Sequence, residues 1–218
     1  MMRSSLKFLA GAMFALLSSA ASAGTILSAP APAISGPGLG FASVAAIITV
    51  QANNDNVPSP NRLDNNIVVP LKRFDSNNYI DIEFTVAASD GVTEYQISEF
   101  VDNNTGSPWS GYRMVLGTGT GAGFVISPLG DGLDFDFPNY DTPPSSAPFP
   151  IVGTPDEDQL VFSGGIHGAG AQPYSVRIDV PDSRSKFTLR QIPTAIPEPS
   201  AIALTVIALL GVAVRRRG

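Results

Sequence analysis

From Tyr79 to Ala87 the chain alternates, with Ile80, Ile82, Phe84 and Val86 interleaved with Asp81, Glu83 and Thr85. Successive side chains of a strand point to opposite faces, so a period of two describes a half-buried antiparallel strand. Between the N-terminal region and the C-terminal tail, no segment carries the 3.6-residue period of an amphipathic helix. The fold must therefore be assembled from strands. Ser89, Asp90 and Gly91 turn the chain, and Tyr95, Ile97 and Val101 alternate within Thr93 to Val101, which predicts a hairpin between the two segments.

Further strands follow the same signals. Phe41 to Gln51 is rich in β-branched residues, and Ile67 to Phe74 reads as an edge strand because Pro70 cannot donate to a ladder. Short strands are expected at Arg113 to Leu116, Phe124 to Ser127, Gln159 to Ser163, Tyr174 to Val180 and Lys186 to Gln191. Residues 24–40, rich in Ala, Pro and Gly, read as an extended lead-in; Asn53 to Asn66 is a polar loop and Thr142 to Pro155 a proline-rich strap. No internal repeat is visible. The expectation is an all-β fold, an antiparallel β-sandwich of the jelly-roll or immunoglobulin-like class over residues 41–192, with 193–200 as a linker.

The two ends carry address signals. Arg3 and Lys7 precede an apolar run from Phe8 to Leu17, and Ala21-Ser22-Ala23 then supplies small residues at the positions a signal peptidase reads. This predicts a secretory signal peptide over residues 1–23, cut after Ala23. The chain has no cysteine, so an exported domain must rely on a hydrophobic core, without disulfides or thiol chemistry. About 170 residues can bury such a core in one domain. Removing Arg3, Lys7 and the three terminal arginines from the 13 basic residues leaves 8 against 19 acidic ones, a mature net charge of about −11. Such a surface repels nucleic acid and anionic membranes.

At the other end Ile196-Pro197-Glu198-Pro199-Ser200 is followed by an apolar run from Ala201 to Val214 and by Arg215-Arg216-Arg217-Gly218. At about 1.5 Å rise per residue the run spans roughly 21 Å as a helix, short of the ~30 Å hydrocarbon core, and the arginines extend its reach by snorkelling. Arginine clusters stay on the cytoplasmic side, so a single transmembrane helix with its basic tail over residues 201–218 holds the domain outside. Pro197 and Pro199 fix φ and lack amide donors, which keeps the motif extended beside the membrane, the form a protease grips.

This order of motif, span and arginines closely resembles the C-terminal sorting signal of PEP-CTERM proteins, which Gram-negative bacteria export and the membrane protease-transpeptidase exosortase processes. The resemblance covers a short terminal part of the chain. It implies recognition of Pro197, Glu198 and Pro199 by exosortase, loss of the apolar tail and delivery of the upstream domain to the cell surface or the exopolysaccharide matrix. The segment Asn103-Asn104-Thr105-Gly106, ahead of Trp109 and Tyr112, is also similar to one that recurs in that family.

Candidate site residues are few. Trp109 and Tyr112 either close the open end of the sandwich, the preferred reading, or stack on sugar rings, for which Tyr140 is a further candidate. Asp131, Asp134, Asp136 and Asp141 lie beside Gly130 and Gly132 in an oxygen-rich segment of the kind that can hold Ca²⁺. The EF-hand order is absent, so a solvated turn is preferred and no cofactor is expected. Asp156-Glu157-Asp158 adds to the same acidic surface. The glycines of Gly117 to Gly123 lack the following helix and the Lys of a phosphate loop, and read as a hairpin loop. His167, the one histidine, excludes a multi-histidine metal site, and no nucleophile elbow accompanies it. A carboxylate pair for glycoside hydrolysis stays open, because its spacing belongs to the fold.

The sequence thus supports a non-enzymatic surface or matrix protein. Signal peptidase and exosortase are its expected processing partners, the cytoplasmic membrane a transient contact and exopolysaccharide a matrix partner. A carbohydrate-binding module and a glycan-active hydrolase are the alternatives.

Overall fold

A computed structural model of the chain describes residues 24–54, 65–88, 91–138, 140 and 142–197. The expected signal peptide with Ala21 and Ala23, the expected transmembrane helix, Glu198, Pro199, Asp141 and Arg215 to Arg217 lie outside the described residues. Among the described residues no helix is long and apolar enough to cross a membrane.

The described chain is all-β. In order, the strands are β1 (Gly24–Ile26), β2 (Ala33–Ser35), β3 (Leu39–Ser43), β4 (Ala46–Ile48), β5 (Asn66–Phe74), β6 (Ile80–Ala88) and β7 (Val92–Asn103). They continue as β8 (Trp109–Thr118), β9 (Val125–Ile126), β10 (Ser145–Ser146), β11 (Ile151–Asp156), β12 (Gln159–Ser163), β13 (Gly170–Pro181) and β14 (Lys186–Ala195). One 8-stranded sheet runs β1-β6-β14-β8-β12-β11, with β2 also on β6 and β9 on β8; a 6-stranded sheet runs β10-β13-β7-β5-β3, with β4 also on β5.

The alternation of β6 has its expected consequence: Ile80, Ile82, Phe84 and Val86 are buried. They meet Tyr95, Ile97 and Val101 of β7 and Val176, Ile178 and Val180 of β13 in one apolar cluster fed by both sheets. Aromatic rings bridge the layers, with Phe74 of β5 edge-on to Tyr112 of β8 at 6.0 Å and Tyr112 at 4.9 Å from Tyr174 of β13. Two facing sheets over a shared core are a sandwich arrangement.

Several expectations are corrected. The strands β6 and β7 form no hairpin: β6 pairs with β1, β2 and β14, whereas β7 pairs with β13 over twelve positions and with β5. Gly91, at φ 88°, lies where the chain passes from one sheet to the other. Alternation identifies the face that each strand buries and not its lateral partner, and here the two apolar faces oppose each other across the core. The sheets are also not wholly antiparallel, because β5 and β7 run parallel with β6 as the excursion between them.

The strand β5 is interior, with β7 on one side and β3 and β4 on the other. Pro70 is tolerated there because the β7 register shifts between Val69 and Lys72, while on the other side pairing breaks between Ser43 and Ala46. No ladder bond is asked of the missing amide. Residues 24–40 are no detached lead-in, since β1 and β2 both extend the ladder of β6. Nor does the linker begin at 193, because Pro193 and Thr194 still pair with Tyr112 and Gly111.

Candidate functional site

The aromatic residues proposed for sugar contact lie in the core. Trp109 and Tyr112 begin β8, and both are fully buried. The indole stacks on Tyr112 at 6.0 Å, meets Phe74 edge-on at 5.3 Å, and donates from Nε1 to Asn77 Oδ1 at 2.9 Å. No ring face is left for a glycan, so the sugar-stacking alternative at these two positions is corrected in favour of core closure. Tyr140 belongs to a separate pair, half-buried against Phe137 at 6.0 Å.

His167 is buried, pairing its backbone with Trp109 and accepting at Nδ1 from the Tyr174 hydroxyl at 3.0 Å when Nε2 donates to the Gly170 carbonyl. Burial lowers its pKa, so it serves as a neutral core bridge.

The acidic loop is spent on structure. Asp131 accepts from Ser127 Oγ at 2.8 Å and from the Leu133 amide at 3.0 Å, and pairs with Arg184. Asp134 pairs its backbone with Asp179 and accepts from the Phe137 amide, while Asp136 sits buried at φ 52°. Among the described residues no three His, Cys, Asp or Glu side chains are grouped so as to hold a metal ion.

The β11–β12 turn does bring Asp156, Glu157 and Asp158 to this loop, as the Phe135 amide bond to the Glu157 carbonyl shows. Asp158 is buried with both carboxylate oxygens unpartnered, and burial first, then Asp131, Glu157, Asp156 and Asp134, push it up to about 8. Asp134 rises to about 7, mainly through burial, against the backbone hydrogen bond from Phe137.

In the unfolded chain both carboxyls ionise near pH 4. Between that value and their folded values the native state holds protons that the unfolded state has lost, so stability falls as pH rises. His167 acts oppositely and only below about 6.5, where acidification costs stability. The expected result is a thermal midpoint higher at pH 6.5 than at pH 8, with a smaller difference in Asp158→Asn. Calorimetry of both proteins at the two pH values checks it, and equal slopes would show that Asp158 is not the source.

Sequence reading missed two features. The first is a cleft of about 610 Å³ across β5, β7, β13 and the β10 segment, with Phe100 about half exposed on its rim. Register aligns Ser145, Ser175, Ser98 and Val68 in one row across the sheet, and Pro173 lies opposite Phe100 in β7. Hydroxyls beside an open aromatic ring suit a polar ligand with an apolar face. The carboxylate of Glu99, the acid among the lining residues, is turned away toward the core, where it holds Lys72.

That contact belongs to the second feature. Lys72, Glu99 and Gln191 are all buried inside the sandwich. Lys72 Nζ donates to Glu99 Oε2 at 2.6 Å, and Gln191 Nε2 donates to Glu99 Oε1 and Oε2 at 3.0 and 3.1 Å. Glu99 follows Tyr95 and Ile97 on the inward parity of β7, and Gln191 follows Phe187 and Leu189 on that of β14, so both were readable as inward positions. Lys72 points inward because the irregularity at Pro70 reverses the parity that buries Ile67 and Val69.

No protein-family model matches this chain, and searches of curated proteins and of solved structures found no match.

Proposed function

We propose that this chain is an exported surface or matrix protein, delivered through exosortase processing at Pro197-Glu198-Pro199, whose β domain serves as a structural and interaction module. The observation that carries the reading is the terminal order of prolines, apolar run and arginines. The position of the motif supports it: β14 ends at Ala195, the Ile196 amide still bonds to the Pro108 carbonyl at 2.9 Å, and Pro197 is exposed. The paired strand β14 thus stops one residue short of Pro197, where the motif that a protease would have to grip begins. The signal-peptide features agree with export.

The expected result is that protein recovered from its native host ends near Pro199 and lacks residues 201–218. Changing Pro197, Glu198 and Pro199 together to Ala leaves export intact and holds an uncut form in the membrane. Terminal sequencing by mass spectrometry checks both, and a released wild-type chain still carrying Arg215 to Arg217 defeats the sorting reading.

A second reading, glycan binding, is favoured by the exposed ring of Phe100 beside the row of serines. Under it Phe100→Ala weakens retention on matrix polysaccharide about tenfold, the worth of one aromatic contact of about 1.4 kcal/mol, while the thermal midpoint holds. Unchanged retention removes this reading and leaves the structural one standing.

A further inference from the structure

The position of three buried polar groups bears on a chain without cysteine. Lys72 stands on β5 of the 6-stranded sheet and Gln191 on β14 of the 8-stranded sheet, and the carboxylate of Glu99 contacts both Lys72 Nζ and Gln191 Nε2. The setting is apolar and aromatic. Lys72 Nζ lies 5.9 Å from the ring centroid of Tyr112, and burial first, then the charge of Glu99, raise the phenol pKa values of both Tyr112 and Tyr174 above their ordinary range. We propose that Lys72 and Gln191 join in an intramolecular amide cross-link between the two sheets, with Glu99 moving the protons.

The chemistry requires no partner that the domain does not hold. In water a lysine is protonated and a carboxamide is inert; inside the core, desolvation disfavours the ammonium, and burial is the main cause that lowers the Lys72 pKa. Transfer of one proton from Nζ to the adjoining Glu99 carboxylate turns a costly buried ion pair into a neutral amine and a neutral acid. The amine is then a nucleophile held on the same carboxylate, Glu99, that binds the Gln191 carboxamide, an arrangement in which positioning substitutes for a high concentration of reactant.

Gln191 Oε1 is buried and has no hydrogen-bond partner. A half-turn of the carboxamide exchanges its oxygen and nitrogen and brings Oε1 to the site where protonated Glu99 donates, so the unpartnered atom is satisfied and the carbonyl polarised by one movement.

The step balances. The lone pair of Lys72 Nζ forms a bond to Gln191 Cδ, the carbonyl π electrons move onto Oε1, and Glu99 supplies the proton that stabilises them. Collapse re-forms the carbonyl and expels Nε2, which leaves as ammonia after taking up a proton. Starting from ammonium, carboxylate and carboxamide, the products are one secondary amide, one ammonia and neutral Glu99; nothing is oxidised or reduced. Water, the competing nucleophile, is kept out because the three residues are buried.

The experiment is the intact mass of the folded wild-type protein, with both termini sequenced, followed by digestion at carboxylates and peptide mapping. Digestion at basic residues is avoided because it would leave Gln191 at a new N-terminus, where it loses ammonia by cyclising. The expected result is a mass lower by one ammonia and a covalent pair of peptides containing Lys72 and Gln191. An unmodified mass with both peptides free overturns the proposal. So does a mass lower by one water with Lys72 joined to Glu99, which would place the bond on the wrong partner. Glu99→Gln is expected to restore the uncondensed mass, and a cross-link that forms undiminished in that variant refutes the role of Glu99. The wild-type measurement stands alone should the variant fail to fold.

Discussion

Replacing Trp109 by alanine is expected to lower the stability of the domain by about 3–5 kcal/mol, the cost of truncating a large buried aromatic side chain. Trp109 sits where Phe74 of one sheet meets Tyr112 of the other, and its ring also lies 4.8 Å from His167. Alanine removes those contacts and leaves Asn77 Oδ1 without the indole donor that reaches it at 2.9 Å. In a domain of this size the midpoint falls by roughly 10 °C. Denaturant titration at constant m-value checks the figure. A variant with wild-type stability that loses only polysaccharide retention would instead mean that the ring is a surface platform.

The second large effect is expected at Asp81. It is fully buried, yet it lies on the polar side of the β6 alternation, opposite Ile80 and Ile82. Its carboxylate accepts from Arg190 Nε at 2.7 Å and Nη2 at 2.8 Å, and from the Gly121 amide at 2.8 Å. The guanidinium is clasped between Tyr79 at 3.9 Å and Phe124 at 4.0 Å and donates onward to the Gly121 carbonyl at 2.7 Å. Asp81→Ala strands the arginine among aromatic rings and costs about 3–5 kcal/mol, the penalty for removing one member of a buried pair. Arg190→Lys keeps the charge but loses the two-pronged geometry and the flat stacking surface, at about 1.5–3 kcal/mol. Thermal and chemical denaturation of the two variants checks the order; an Asp81→Ala protein as stable as wild type would show that solvent and not Asp81 compensates Arg190.

What the sequence disclosed and what it withheld divide along physical lines. The faces of β6 and β7 were legible because burial selects for apolar side chains at every second position, and Ile80, Phe84, Tyr95 and Ile97 obey it. Their pairing was not, because main-chain hydrogen bonds look alike in every strand and leave no mark on side-chain type. Pro70 was correctly seen as a break in hydrogen bonding, but an edge is only one way to provide a break, and here an irregular register provides it inside the sheet. The same irregularity turns Lys72 inward, against the parity that Ile67 and Val69 set. The glycine-rich segment Gly117 to Gly123 read as a hairpin loop, yet its use could not be foreseen: the backbone of Gly121 receives Asp81 and Arg190, residues far away in the chain. The cleft beside Phe100 is likewise a product of register, since Ser98, Ser145 and Ser175 fall into line only once three strands are laid together.

The place of β14 has a mechanical consequence. The strand is flanked by β6 and β8, and β1 lies on the far side of β6, running in the same direction as β14. Gly24 pairs near the end of β6 at Ala88, whereas β14 leaves beyond the start of β6 and still pairs with Trp109 at Ala195. Tension drawn between Gly24 and Pro197 therefore pulls along the strand axes. The ladders on either side of β14 then resist as a set in shear and cannot be peeled one bond after another. Rupture under load is a matter of unfolding rate, so a load applied between these two ends would be met by slow, concerted unfolding of the ladders around β14.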